Sequence, residues 1–340
     1  MIHRPSPHRR RARSTQDVMR DVLLALVPGT LVMLWLYGPG VLTNLLLTLI
    51  AGVATEAAVM RLRGRAVKPP LRDLSALVAS ALIGLSLPPL APFWIPLLAG
   101  VLAIGLGKQL FGGLGHNPFN PAMVAYAVLL ISFPVAMTTT WVSPTRVPDL
   151  LATLGHQFGG ADGWSGATPL DRYKDLATRL TQSEIAQDPL FNAGLVMPWA
   201  LLALAWALGG AFLIWRRATF WHAPAGLILG ILLPAGVFGY DGDQFVPASM
   251  HLLTGATVFA AFFIVTDPVS GATSPRGRLA FGFGAGVLTW VIRTYGGYPD
   301  AIAFAVLLMN LAAPMLDQFT RPRVYGHDAA RKGPVLEKRS

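Results

Sequence analysis

The sequence predicts an all-α integral membrane protein of about ten transmembrane helices, set as two inverted five-helix repeats with broken helices. Three observations carry this prediction. Hydrophobic residues make up 53% of the 340 and charged residues only 13%, about half the quarter expected of a water-exposed globular domain. The apolar residues fall into stretches of about 20, the length that crosses a bilayer as a helix. The Lys and Arg residues lie in the short segments between those stretches, which is the arrangement of cytoplasmic loops. The same figures exclude a disordered chain and a soluble binder of nucleic acid, despite a formal charge of +10.

Residues 1–20 form a basic tail that runs into the first apolar stretch without an A-x-A-like cleavage site. A first membrane half, 21–137, holds spans at 21–37, 40–60, 74–90, 93–111 and 121–137. Residues 138–194 form a hydrophilic loop, longer than an ordinary connection and therefore a candidate for function or disorder. A second half, 195–318, holds spans at 195–215, 223–240, 249–266, 279–295 and 299–318, and a basic tail, 319–340, closes the chain. Ten spans place both termini on one side. With that side cytoplasmic, 22 of the 27 Lys and Arg residues fall inside, among them Arg61, Arg63, Arg65, Lys68, Arg72 and Lys108. Arg293 and four residues of the long loop fall outside. Losing one span would reverse every later loop and spoil this division.

The halves look distantly alike. Phe111-Gly112-Gly113 precedes Pro121-Ala122-Met123-Val124-Ala125-Tyr126-Ala127-Val128-Leu129-Leu130, and Tyr295-Gly296-Gly297 precedes Pro299-Asp300-Ala301-Ile302-Ala303-Phe304-Ala305-Val306-Leu307-Leu308. Each follows a Pro-broken stretch, at Ser86-Leu87-Pro88-Pro89 and at Thr266-Asp267-Pro268. Apolar helices can align this well by chance. As a true repeat, five spans per unit make the second unit enter from the opposite side, with helix breaks meeting near the midplane.

Few residues can carry chemistry. The absence of Cys excludes disulfides, thiolate zinc sites and iron–sulfur clusters held by this chain alone, and the seven His show no metal-ligand spacing. In Gly115-His116-Asn117-Pro118-Phe119-Asn120-Pro121-Ala122, Asn120 before Pro121 reads as a helix cap. Asn117 and Asn120 could equally hydrogen-bond a heteroaromatic edge beside a helix N-terminus. Asp267 opens Asp267-Pro268-Val269-Ser270-Gly271-Ala272-Thr273 and reads as a turn cap or as a functional acid at the interface. Glu56, about one turn from the cluster beginning at Arg61, is expected to pair with an Arg there rather than to carry ions. Asp162-Gly163-Trp164-Ser165-Gly166-Ala167-Thr168-Pro169-Leu170 lies in the outer loop. It reads as an exposed turn rich in hydroxyls and lacks a nucleophile–base–orienter set.

Asp162-x-x-Ser165-Gly166-Ala167-Thr168 resembles the signal read by an FMN transferase that esterifies a Thr hydroxyl with the phosphate of FMN. Taken with the ten spans, the Asn117/Asn120 stretch and the Thr266-Asp267-Pro268 stretch, nearly the whole chain resembles the D subunits of Rnf electron-transport complexes. It is similar, more distantly, to the B subunits of sodium-pumping NADH:quinone reductases. The resemblance implies electron transfer between ferredoxin and NAD coupled to movement of Na+ or H+ across the bacterial inner membrane. It implies the A, B, C, E and G subunits of Rnf as partners, the FMN transferase for maturation, and no nucleic acid. It implies covalent FMN on Thr168, and a non-covalent riboflavin near the inner side, with Asn117, Asn120 and Asp267 carried over to that site.

Small residues at 165–167 leave the Thr168 hydroxyl accessible, and Pro169 restrains Thr168 toward an extended backbone. The string at 267–273 matches the same short signal. A transferase working outside the membrane selects Thr168, which lies outside, over Thr273, which lies inside. Two rivals remain: a secondary transporter, which inverted repeats and broken helices fit equally well, and a structural scaffold for other redox proteins.

Overall fold

The computed structural model describes residues 13–142, 147–159, 166–188, 191, 196–239, 245–296 and 301–321. Among these the protein is helical, and no strand forms. The elements are α1 (Thr15–Tyr37), α2 (Gly40–Leu62), α3 (Lys68–Arg72), α4 (Ser75–Ser86) and α5 (Trp94–Gln109), which turns from α to π geometry at Leu102. Then come α6 (Pro121–Ser132), α7 (Pro134–Thr138), α8 (Leu150–Gly159), α9 (Pro169–Ala177) and α10 (Gln182–Ile185). The last are α11 (Val196–Trp215), α12 (His222–Phe238), α13 (Ala248–Leu253), α14 (Thr257–Phe259, continued as a π turn to Ile264), α15 (Pro275–Tyr295) and α16 (Ile302–Phe319). Among the described residues four helices, α1, α2, α11 and α16, are long and apolar enough to cross a membrane. The long hydrophilic segment is not shapeless: it holds α8, α9 and α10, with Tyr173 and Leu176 packed on Ile185 and Met250.

Before the long hydrophilic segment α2 packs on α4 and α5, and α5 on α6; after it, α12 packs on α13 and α15, and α15 on α16. The pairs α1–α11 and α6–α16 join these two groups of helices. The α12–α15 contact is a close one. A Cβ at Gly226, Gly230, Gly282 or Gly286 would strike backbone atoms of Leu279, Phe283, Ala223 and Leu227 respectively, so each helix presents a small-x-x-x-small stripe to the other. Gly230→Leu is expected to force these backbones apart, costing roughly 3 kcal/mol or more, at the upper end of overpacking penalties. Size-exclusion chromatography of the detergent-solubilised variant should show loss of the monodisperse protein.

At two of the helix breaks inside the bundle, neighbouring polar side chains satisfy the freed carbonyls, as an apolar surrounding demands. After α4, Pro88 and Pro89 cannot continue the helix. Buried Asn44 donates to Pro88 O over 2.8 Å and buried Gln157 to Pro89 O over 2.9 Å. The second is additional to the break expected at Thr266-Asp267-Pro268. It comes at Thr254–Ala256, where Gly255 and Ala256 take φ of 62° and 57°, before the chain ends its helix again at Thr266-Asp267-Pro268. Glycine tolerates that left-handed backbone, and buried Arg293 holds it by donating to His251 O, Gly255 O and Thr257 Oγ1.

Candidate functional site

Among the described residues, Thr168 lines one cavity between the helices, and Asn117, Asn120 and Asp267 line another. Thr168 caps α9. Its backbone is extended (φ −66°, ψ 157°) and Pro169 supplies the first helical residue, so the local sequence writes a helix start. Asp171 N donates to Thr168 Oγ1 over 3.3 Å, and Thr168 Oγ1 donates to Asp171 Oδ2 over 2.6 Å. Burial pushes the Asp171 carboxyl above the usual range, and the Thr168 hydroxyl works against that shift. Thr168 and Asp171 line the first cavity together with Tyr37, Trp141, Trp199 and Trp206. Trp199 Nε1 donates to Tyr37 Oη over 3.0 Å, and Trp141 meets the Tyr37 ring edge-on with centroids 5.9 Å apart. Gly166 N donates to Trp141 O over 2.7 Å, which pins the approach to Thr168, and Ala167 is exposed. Asp162 and Ser165 lie outside the described residues.

The second cavity brings together Asn117, Asn120 and Asp267, with Lys108, Phe262 and Phe263 also in its wall. Asn120 is spent on architecture. Its Oδ1 accepts from Ala122 N and Met123 N at 3.0 and 3.2 Å, and its Nδ2 donates to Ile264 O over 3.3 Å. Its own N–H donates to Asn310 Oδ1, and Asn310 Nδ2 donates to Ser270 O, both over 3.0 Å. Asn117 Nδ2 donates to Phe119 O over 3.0 Å. Asp267 accepts from Val269 N and Ser270 Oγ, closing a turn, and burial pushes its carboxyl up. Asn120→Ala should therefore destabilise the protein by about 1 kcal/mol through the lost cap, whereas Asn120→Ser should retain most of it; thermal unfolding in detergent distinguishes them.

Glu56 corrects an expectation. Its partner is Lys108, not an Arg of the adjacent cluster: Lys108 Nζ donates to Glu56 Oε1 over 2.9 Å. Glu56 lies on the α2 face that Gly52 and Met60 bury, while Arg61 is exposed and Arg63 turns to Gln109. The lone cation in the apolar 93–111 stretch was the available signal for Lys108. Asn310, in the apolar 299–318 stretch, was the other polar residue to notice. Among the described residues no group of His, Cys, Asp and Glu suits a metal.

Residues 2–326 match the NQR2, RnfD, RnfE family. The chain is 47% identical over 341 residues to a Marinobacter nauticus protein named as the D subunit of an ion-translocating oxidoreductase complex, covering 98% of this chain and 97% of that one. It is 50% identical over 337 residues to the protein of that name from Pseudomonas aeruginosa, covering 96% of each. Against the Salmonella paratyphi A protein of that name it is 46% identical over 353 residues, covering 96% of this chain and 98% of the other. With coverage this complete, the chain belongs to the NQR2, RnfD, RnfE family.

Proposed function

We propose that this chain is the D subunit of an ion-translocating oxidoreductase complex of the bacterial inner membrane, relaying electrons between ferredoxin-side and NAD-side partners. The observation that carries the flavin part is the position of Thr168: a hydroxyl in the transferase signal stands at an aromatic-walled cavity between the two halves. Those walls fit a planar ring system, and the phosphate ester on Thr168 would tether it there. FMN, when bound, supplies one-electron redox chemistry. The chain's own part is to position and insulate: Tyr37, Trp141, Trp199 and Trp206 exclude water, and the α9 start fixes the hydroxyl. Riboflavin in the second cavity would be held chiefly by Phe262 and Phe263, because the Asn120 amide and Asn117 Nδ2 are already engaged. Two related halves are supported by the recurrence of the same helix pairings before and after the long loop, and cytoplasmic termini by the division of Lys and Arg among the loops.

The test is whether flavin fluorescence survives denaturation after co-expression with the FMN transferase, and whether it depends on Thr168. Its absence, with the transferase active on a control substrate, would return the secondary transporter to first place. A turnover unaffected by loss of the modification would leave a scaffold.

A further inference from the structure

Near the basic end of the bundle, Glu56 and Lys108 form an ion pair that electron relay does not require. Glu56 is 1% exposed and Lys108 is 2% exposed. Lys108 sits in the π-helical part of α5, a geometry frequent at functional positions. Besides Glu56, Lys108 Nζ donates to Ser75 Oγ over 2.8 Å, and Ser75 Oγ donates to Asp73 Oδ1. The left-handed backbone of Leu74, φ 64°, folds Asp73 back onto Ser75. Asp73 is only half-buried, so an unbroken hydrogen-bonded chain leads from the buried carboxylate to the surface.

Two features set this relay apart from a merely structural pair. Glu56 Oε2 is buried without a hydrogen-bond partner among the described residues, a costly state for an acid inside a membrane protein. Ser75 and Lys108 also line the second cavity, so the relay touches the place where charge would arrive during turnover.

We propose that Glu56 is a proton-loading site, served from the basic end through Asp73, Ser75 and Lys108, and that its cargo is H+ rather than Na+. The Lys108 ammonium already occupies the cation position beside the carboxylate, and Na+ would have to displace a charge of its own sign. A proton need not. A proton from water binds Asp73 and passes through the Ser75 hydroxyl to Lys108, as a Lys108 proton passes to Glu56. Asp73 and Lys108 return to their starting states, and Glu56 has gained one proton. Among the described residues, the charged groups placed nearby are Arg63, which reaches Gln109 beside Lys108, and Asp267, which lines the same cavity. The α6 residues of that wall, Pro121 and Ala122, are uncharged. Negative charge entering the cavity favours proton uptake at Glu56 by Coulomb attraction.

This proposal rests on the chain serving an ion-translocating complex. The intact complex is reconstituted into liposomes carrying an internal pH dye, and protons moved per electron are compared for wild type, Glu56→Gln and Asp73→Asn. Both variants should lose proton movement while retaining covalent flavin fluorescence. Asp73→Asn leaves the buried pair intact and decides the matter if Glu56→Gln does not assemble. A wild-type proton-to-electron ratio in both variants would overturn the proposal, as would radioactive sodium uptake by wild type that a protonophore does not diminish. Failure of the flavin reading is distinguishable, because it shows as absent fluorescence in wild type.

Discussion

Thr168→Val should abolish covalent flavin completely, while Thr273→Val leaves it at the wild-type level. Valine keeps the shape of threonine and removes only the hydroxyl that can be esterified. It also removes a helix cap worth about 1 kcal/mol, a loss too small to unfold a bundle with this much buried surface. Thr168→Ser restores both the hydroxyl and the cap, so any return of fluorescence separates chemistry from folding. Denaturing gels under ultraviolet light make the comparison clean, since denaturation releases non-covalent riboflavin. Thr273 is the internal control: it is exposed, its N–H donates to Asp317 Oδ1 over 2.7 Å, and it lies at the other end of the bundle by the charge division. Fluorescence lost only in Thr273→Val would mean that the transferase works on the basic side. Esterification has a local consequence too. Thr168 Oγ1 loses the proton that Asp171 Oδ2 accepts, and a phosphodiester brings negative charge beside that carboxylate. The first turn of α9 should therefore loosen, with faster amide exchange at Asp171 and Arg172 in the modified protein.

Much of the helical layout could be read from composition, because an apolar stretch bounded by Arg and Pro leaves the backbone little choice but a helix. Pro88 and Pro89 announced the first break for the same reason: proline denies the helix a donor. The second break could not be placed that way. It depends on Arg293 reaching three acceptors from α15, and Gly255 alone is a weak signal. Asn120 before Pro121 was legible as a cap, and the cap is what consumes its side chain. Two things were illegible. That Thr168 would face Tyr37, Trp199 and Trp206 depends on how α9 docks between the halves, and aromatic residues in apolar runs carry no address. The Glu56 partner depends on helix rotation: Arg61 was nearer in sequence, but a five-residue offset puts it on another face of α2.

Lys108→Ala should be the most damaging single substitution for stability. It strands the Glu56 carboxylate in the interior, a change that costs about 3–5 kcal/mol in buried pairs, and it leaves Ser75 Oγ without its donor. Detergent-solubilised Lys108→Ala should accordingly aggregate or melt well below wild type. The double variant Lys108→Met/Glu56→Leu should recover most of that loss, because replacing a buried pair by apolar residues of similar volume is often neutral or stabilising by about 1–4 kcal/mol. Should Lys108→Ala instead melt like wild type, Glu56 must be uncharged in the folded protein and the pair is not ionic. A recovered double variant carries the stronger implication. A membrane bundle that folds equally well with Met and Leu at these positions has no structural need of Glu and Lys. Their presence, hydrogen-bonded through Ser75 to a half-buried Asp73, then has to be explained by what moves along that relay.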